Sequence, residues 1–458
     1  MIKKHWWQMA PIYGLISLLP LLIFPIERSV WSPLLVDVPI LASGLQQDLY
    51  TTMKMSLLVV LTIWLCVVNR HATWRKQFVY PVIVFISALM ISTFCSDVMQ
   101  TAIFGQFNRS EGLISWLCYA VLFLQIAHMP VRLSLQKVVY ATIPFLVINI
   151  SFMICRALDE TSFFGQIGGT LNQENYISAA MAMLVALYMT TRLWSTMQKR
   201  VNELLIVLAI VGLVLTKSQI GFLTACLAII VILLLSAKRL TRKQMLYTFS
   251  LYIGLTLCVA LLLAQFDKRY WEESFGVIYT YDTHTNEEKL TEKRQDPLNG
   301  VIGYEEDHLP VLPAVATTAL SSRIYIWEKT WTLIKERPLF GYGMDTLQYH
   351  FPHFNIDARA GISTERLIVD KPHSLYLDLL YGGGVVALLL FSWLTWTAIK
   401  SLWQRQKQEG IKARDVALFS ICIVYLLQGL TNDSTIALTA IYFLALGLIV
   451  RPVQKSTK

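Results

Sequence analysis

Residues 201–236 read VNELLIVLAIVGLVLTKSQIGFLTACLAIIVILLLS, two apolar runs divided only by the turn around Lys217 and Ser218. A bilayer core needs about 20 mostly apolar residues per helix, with roughly 17 to 25 tolerated. The stretch therefore predicts a tight hairpin of two membrane-crossing helices. Ten more stretches of the same kind lie near 9–26, 53–69, 78–95, 113–129, 138–155, 175–191, 245–264, 374–398, 415–431 and 434–450. The composition agrees: 55% of the 458 residues are apolar, only 15% are charged, and the mean hydropathy is +0.52. A soluble chain carries roughly 25% charged residues, so this one has too few to cover a globular surface. The same shortage argues against a disordered or nucleic-acid-binding chain. Seven cysteines lie in or beside apolar stretches with no CxxC pair, which leaves neither a disulfide framework nor a zinc knuckle. The expected fold is all-α, a polytopic membrane bundle of about twelve transmembrane helices.

The first apolar stretch is interrupted by Pro11, Pro20 and Pro25 and lacks a small-residue cleavage site before Glu27, so it reads as a retained helix rather than a signal peptide. Orientation follows from the Lys and Arg content of alternate short loops. One set, with both termini, holds 22 of the 39 basic residues, whereas the opposite short loops hold five: Arg28, Lys54, Arg109, Arg156 and Lys217. Both termini are thus expected to be cytoplasmic. The net charge of +9 is mainly a topology signal.

The remaining twelve basic residues fall in one long outward segment, 265–373, between helices expected over 1–264 and 374–458. Val277–Tyr281 and Lys289–Glu292 suggest a short hairpin, followed by a proline-interrupted stretch over 295–318. Glu305-Glu306-Asp307-His308 reads as a solvated acidic run, because adjacent residues do not converge easily on one ion. Farther on, Ser321 or Ser322 is positioned to cap a helix whose Ile324, Trp327, Trp331 and Ile334 recur at helical spacing. Such an amphipathic helix, stopped by Pro338, suits the outer membrane–water interface. His350 and His353 are expected at that interface too, and the Trp and Tyr excess reads as interfacial belts.

Polar residues near membrane-crossing segments carry the functional signal, since burying them is costly. Four clusters share the outward side: Asn108–Gly112, Gly168–Tyr176, Thr216–Gln219, and the segment from Ser322-Arg323 to Ser374. Arg109 is placed either to snorkel toward headgroups or to bind an anion. Lys217 is a turn residue or a ligand, and Asn172 and Asn175 are candidate helix caps. Arg323 falls in a first helical turn, where the macrodipole disfavours a cation; that placement suggests a phosphate-facing role. Asp378, five residues beyond His373, is expected to steady a neighbouring cation inside the bundle.

Ser322-Arg323, Trp327 and Glu336-Arg337-Pro338-Leu339-Phe340-Gly341-Tyr342-Gly343 resemble the loop signature of the O-antigen ligase and O-antigen polymerase family. Lys371-Pro372-His373-Ser374, followed by Tyr376-Leu377 and Gly382-Gly383-Gly384, is similar to that family's histidine motif. Arg109-Ser110-Glu111-Gly112-Leu113, Thr170–Tyr176 and the last hairpin around Gln428–Thr435 echo it. The resemblance spans about 100 to 450. It departs from the family pattern at Gln219, where an arginine is usual, and at Ala387, where the histidine motif has its second glycine.

The resemblance implies an integral-membrane glycosyltransferase of the bacterial plasma membrane that builds or attaches cell-surface polysaccharide. Its donor would be a glycan on undecaprenyl pyrophosphate, its acceptor a sugar hydroxyl on another glycan or lipid, with polysaccharide-assembly proteins as candidate partners. It implies no cofactor, no metal and no nucleic acid. His373 would act as base and Arg323 as a cation at the reacting centre, with Arg109, Lys217, Gln219, Asn172, Asn175 and Asp378 around the substrate. Two other readings compete: a flippase of lipid-linked oligosaccharide, or an inactive scaffold relative, to which Gln219 lends support. Against the flippase, no homologous halves are visible.

Overall fold

The computed structural model describes residues 2–22, 39–70, 72, 74–129, 133–158, 169–171, 173–195, 198–266, 319–353, 355 and 368–451. Asn172, Pro25, the hairpin expected over 277–292, the 295–318 stretch and Glu305–His308 lie outside them. Regular structure among the described residues is helical throughout. In chain order it comprises α1 (Ile2–Tyr13, continued by a π-helical segment Gly14–Leu18 and by Leu19–Leu21), α2 (Pro39–Val68), α3 (Lys76–Phe94), α4 (Met99–Phe104), α5 (Leu113–His128), α6 (Leu135–Leu158), α7 (Glu174–Trp194) and α8 (Lys199–Leu215). It continues with α9 (Gln219–Leu235), α10 (Arg242–Phe266), α11 (Ala319–Glu336), α12 (Leu347–His350), α13 (Leu375–Glu409), α14 (Ala413–Gln428) and α15 (Ile436–Val450).

Each of the twelve apolar stretches falls on one of these helices. Among the described residues six helices are long and apolar enough to cross a membrane: α2, α3, α6, α7, α10 and α13. The bundle has a centre and a rim. The α7 span is 83% buried whereas that of α10 is 11% buried, so α7 is the central post and α10 faces outward. Helices α8, α9 and α14 pack around α7, while α15 packs on α5 and α13 on α3. Small residues on α7, Ala179, Ala180, Ala182 and Ala186, let its neighbours approach closely. Trp116, Tyr119, Tyr188, Tyr381 and Tyr442 are fully buried, so part of the aromatic excess fills the core rather than forming belts.

The α8–α9 hairpin forms as expected, with Ser218 Oγ capping α9 at the Gly221 N–H. Two helix starts differ from expectation. Helix α11 begins at Ala319, so Arg323 stands in its second turn and not in the first. Its buried face carries Tyr325, Ile326, Thr330 and Ile334, while Ile324 (53% exposed) and Trp331 (46%) point away. Helix α7 has Gln173 as its N-cap with no side-chain cap, and Asn175 lies inside the helix.

The two glycine clusters interlock. At Gly384 (φ 70°, ψ −175°) α13 breaks, and the chain of Gly341-Tyr342-Gly343 runs along the break. Tyr342 N–H donates to Tyr381 O at 2.9 Å, Gly343 N–H to Gly382 O at 2.9 Å, and Val385 N–H to Pro338 O at 2.8 Å. A Cβ on Gly384 would stand 2.1 Å from Leu339 O, and one on Gly341 2.2 Å from Tyr381 O. Only glycine permits this approach and these positive φ values. Tyr342 stacks on Tyr381 with centroids 5.2 Å apart, which completes the lock. His350 hydrogen-bonds Tyr381 Oη at 2.7 Å, so it faces this inner cluster and not the membrane interface.

Candidate functional site

The locked glycine segments deliver Asp345 and the Lys371–Ser374 loop to the mouth of the bundle. Lys371, with no exposed side-chain surface, lies 2.8 Å from Asp378 Oδ2, 3.1 Å from Asp345 Oδ1 and 4.0 Å from Glu111 Oε2. Asp345 Oδ2 accepts from the backbone N–H of Gln106 at 2.7 Å and of Glu111 at 3.3 Å. Glu111 accepts from Tyr119 Oη at 3.2 Å and from Ser434 Oγ. Burial works against the lysine's charge, but Asp345, Asp378 and Glu111 outweigh it and hold its pKa well above the usual lysine range. Burial pushes the Glu111 carboxyl up to about 7, against the opposing pull of Lys371 and Ser434. Asp378 is itself wholly buried against this lysine.

Two residues along the same loop the environment changes. His373 Nδ1 lies 2.8 Å from Asp433 Oδ2; the imidazole is 32% exposed and the aspartate side chain is sealed. The other ring nitrogen makes no hydrogen bond to a described residue. Burial alone would lower the histidine pKa, but Asp433, through its charge and its hydrogen bond, overcomes this and raises it above the ordinary value. Conversely, burial would raise Asp433, but His373 together with Arg109 and Lys371 keeps it below the usual carboxylate range. The loop is anchored on both sides. Trp327 Nε1 on α11 donates to Pro372 O at 2.8 Å, and Leu375 N–H donates to Gly429 O at 2.9 Å. Ser110, Asp345 and His373 all have positive φ among the described non-glycine residues, a conformation that tertiary contacts must impose and that concentrates at functional sites.

Arg109 closes the other side. Its guanidinium bonds Asp370 Oδ2 through Nε at 2.9 Å and Nη2 at 2.8 Å, and donates through Nη1 to Tyr176 Oη at 3.0 Å. Arg109 lines a polar cavity of about 300 Å³ with Thr51, Lys54, Glu111, Tyr176 and Ser434. Arg323 is half-buried, and its charge interacts favourably with Asp433; burial, the larger effect, lowers its pKa from the usual arginine value.

The structure therefore brings His373, Asp378, Arg109 and Arg323 together around Asp433 and Lys371. The α8–α9 turn does not join them at the cavity. Gln219 is exposed, Lys217 is half-buried, and neither lines the cavity. Asn175 Oδ1 accepts from Ser218 Oγ at 2.8 Å, pinning that turn to the start of α7 rather than capping it. Asp433, Asp345, Asp370 and Lys54 were not singled out from the sequence. The available signal was an ionisable residue at the mouth of an apolar helix, and Asp433, between Asn432 and Ser434, carried it.

Residues 204–392 match the family model described as O-Antigen ligase. That match, over less than half of the chain, supports the O-antigen ligase family for this segment. No curated protein matches the chain. The matched segment contains Lys217, Gln219, Arg323, His373 and Asp378, and it ends before Asp433. The match supports an O-antigen ligase-like glycosyltransferase activity in general and suggests a bacterial membrane protein acting on lipid-linked glycans.

Proposed function

We propose that this protein transfers a glycan from undecaprenyl pyrophosphate to a sugar hydroxyl of an acceptor glycan or lipid, at the outer face of the plasma membrane with both termini cytoplasmic. The observation that carries this reading is the His373–Asp433 pair, 2.8 Å apart, with the aspartate sealed and the imidazole open on one side. The buried carboxylate orients the ring through Nδ1 and leaves Nε2 toward the acceptor. His373 Nε2 takes the proton from the attacking hydroxyl as the new bond forms at the donor's anomeric carbon. The bond from that carbon to the pyrophosphate oxygen breaks, and its electron pair leaves with the polyprenyl pyrophosphate. Arg109 and Arg323 stabilise the departing charge, a task suited to guanidinium donors. No strong leaving-group acid is needed, because the pyrophosphate is already a good leaving group.

The surroundings also suit a lipid donor. Below the polar cavity lies an apolar pocket lined by residues that include Ala180, Met183, Leu187, Leu438, Ile441 and Leu448. Helices α7 and α15 contribute to both, Tyr176 and Ala437 above, Ala180 and Leu438 below. A head group in the cavity would thus have hydrocarbon surface directly beneath it.

The test is a deletion strain complemented with wild type or His373→Ala, assayed for lipid-linked glycan on each leaflet and for surface polymer. Outer-leaflet accumulation with no rescue by a normally expressed His373→Ala supports transfer; inner-leaflet accumulation with rescue overturns it in favour of a flippase. Single repeat units would mark a polymerase and finished chains a ligase.

A further inference from the structure

Lys54 stands on α2, one turn beyond Thr51, inside the membrane-spanning window Thr51–Val68. It is only 4% exposed. A cation at such depth is costly and usually has a task. The structure commits several groups to aiming it. Lys54 Nζ donates to the Thr170 carbonyl at 2.6 Å. Thr170 is in turn clamped by the wholly buried Asn149 of α6: its N–H donates to Asn149 Oδ1 at 2.9 Å, and Asn149 Nδ2 donates to Thr170 Oγ1 at 3.0 Å. Gly169, with φ 83°, makes the bend that brings this carbonyl over α2. Asn149, Thr170 and Lys54 thus form a relay from three separate parts of the chain, ending at an ammonium group.

That group lines the same cavity as Arg109. Arg109 is fixed from the side of Asp370 and Tyr176, Lys54 from the side of Asn149 and Thr170. The one carboxylate among the described residues of the cavity wall, Glu111, is occupied by Tyr119 and Ser434 and lies 4.0 Å from Lys371. Hydroxyls of Thr51, Tyr176, Ser434 and Thr435 complete the lining. Two basic side chains held in place, with the Tyr176 and Thr435 hydroxyls on the same wall, suit a diphosphate better than a neutral sugar. A compact ammonium has three donors and no acceptor, so it can hold the Thr170 carbonyl and a phosphoryl oxygen together. The Arg109 guanidinium, with three of its five N–H donors on Asp370 and Tyr176, has one further N–H on each of Nη1 and Nη2 for a second phosphoryl group.

We infer that Lys54 and Arg109 form a cradle for the pyrophosphate of the lipid-linked donor, with Lys54 binding one phosphoryl group and Arg109 the other. The inference rests on the donor class proposed above. Lys54 lies outside the matched segment 204–392.

The experiment measures binding of radiolabelled undecaprenyl pyrophosphate to the full-length protein in nanodiscs, for wild type, Lys54→Gln and Lys54→Arg. Lys54→Gln keeps a donor for the Thr170 carbonyl and removes the charge. It should weaken binding by about 10- to 100-fold, as expected for losing one charge-assisted contact. Lys54→Arg should retain most of the affinity. Inorganic pyrophosphate should compete and undecaprenol should not, which separates the diphosphate from the lipid tail as the group recognised. A folded Lys54→Gln variant that binds like wild type overturns the role of Lys54 alone. A wild-type protein that does not bind the probe overturns the donor reading itself. A second measurement needs no variant: acylation of Lys54 by an amine-directed reagent, read by mass spectrometry, should fall when undecaprenyl or inorganic pyrophosphate is bound. Unchanged acylation under saturating probe likewise overturns the assignment.

Discussion

Lys371 and His373 are two residues apart on one loop, yet their surroundings are opposite. Lys371 has no exposed side-chain surface and three carboxylates around it, whereas His373 is 32% exposed and has a single carboxylate at one ring nitrogen. The first environment fits an anchor, in which the lysine's charge is answered inside the protein. The second fits a reagent, with one side fixed and the other left to a substrate. Within the span of a single turn, the chain separates holding from reacting. Pro372 between them is itself held, through its carbonyl, by Trp327.

Breaking the anchor should have the largest effect. Lys371→Met would leave Asp345, Asp378 and Glu111 buried without their cation; unpairing a buried charge costs about 3–5 kcal/mol. The expected outcome is a large drop in melting temperature and loss of folded protein, read by thermal denaturation in detergent. His373→Ala should do the reverse, leaving the melting temperature near wild type while turnover falls by about 10²–10⁴, the usual worth of a positioned base. If both variants unfold, the division between anchor and reagent fails.

Asp433→Asn sharpens the comparison through pH. His373 serves as base only when neutral, so the rate should rise with pH through its pKa, which Asp433 holds above the ordinary histidine value. Removing the anion lowers that pKa. The acid limb of kcat/KM against pH should move to lower pH, while the plateau falls because the imidazole is a weaker base and less firmly oriented. An unmoved limb would remove Asp433 from the mechanism. The smallest effect is expected at Gln219, which is exposed and away from the cavity lining. Gln219→Ala should leave turnover close to wild type in the same assay, and a large loss there would extend the site to the α8–α9 turn.

Much of the helical framework was legible in the chain. The apolar runs located the helices because a residue's preference for hydrocarbon is local and adds along a stretch. His373, Arg323 and Arg109 were legible from motifs, and Asp378 from the cost of a carboxylate inside an apolar helix. The buried face of α11 was not legible. Ile324 and Trp331, read as part of an interfacial stripe, are exposed, and nothing in the spacing pointed to Ile326 and Thr330 as the residues against the bundle. Glycine's local freedom hinted at a turn in Gly341-Tyr342-Gly343 but gave no sign that it would run beside a break in α13 at Gly384.

The sequence by itself determined the all-helical build, the positions of the apolar helices and the family resemblance, since all of these are written in contiguous residues. Tertiary structure decided which charges meet. Lys54, Arg109, Asn149, Thr170, His373 and Asp433 come from segments far apart in the chain, and no spacing rule connects them. They converge because a charge buried in apolar surroundings must find a partner or a ligand, and only the packed bundle determines which one lies within reach.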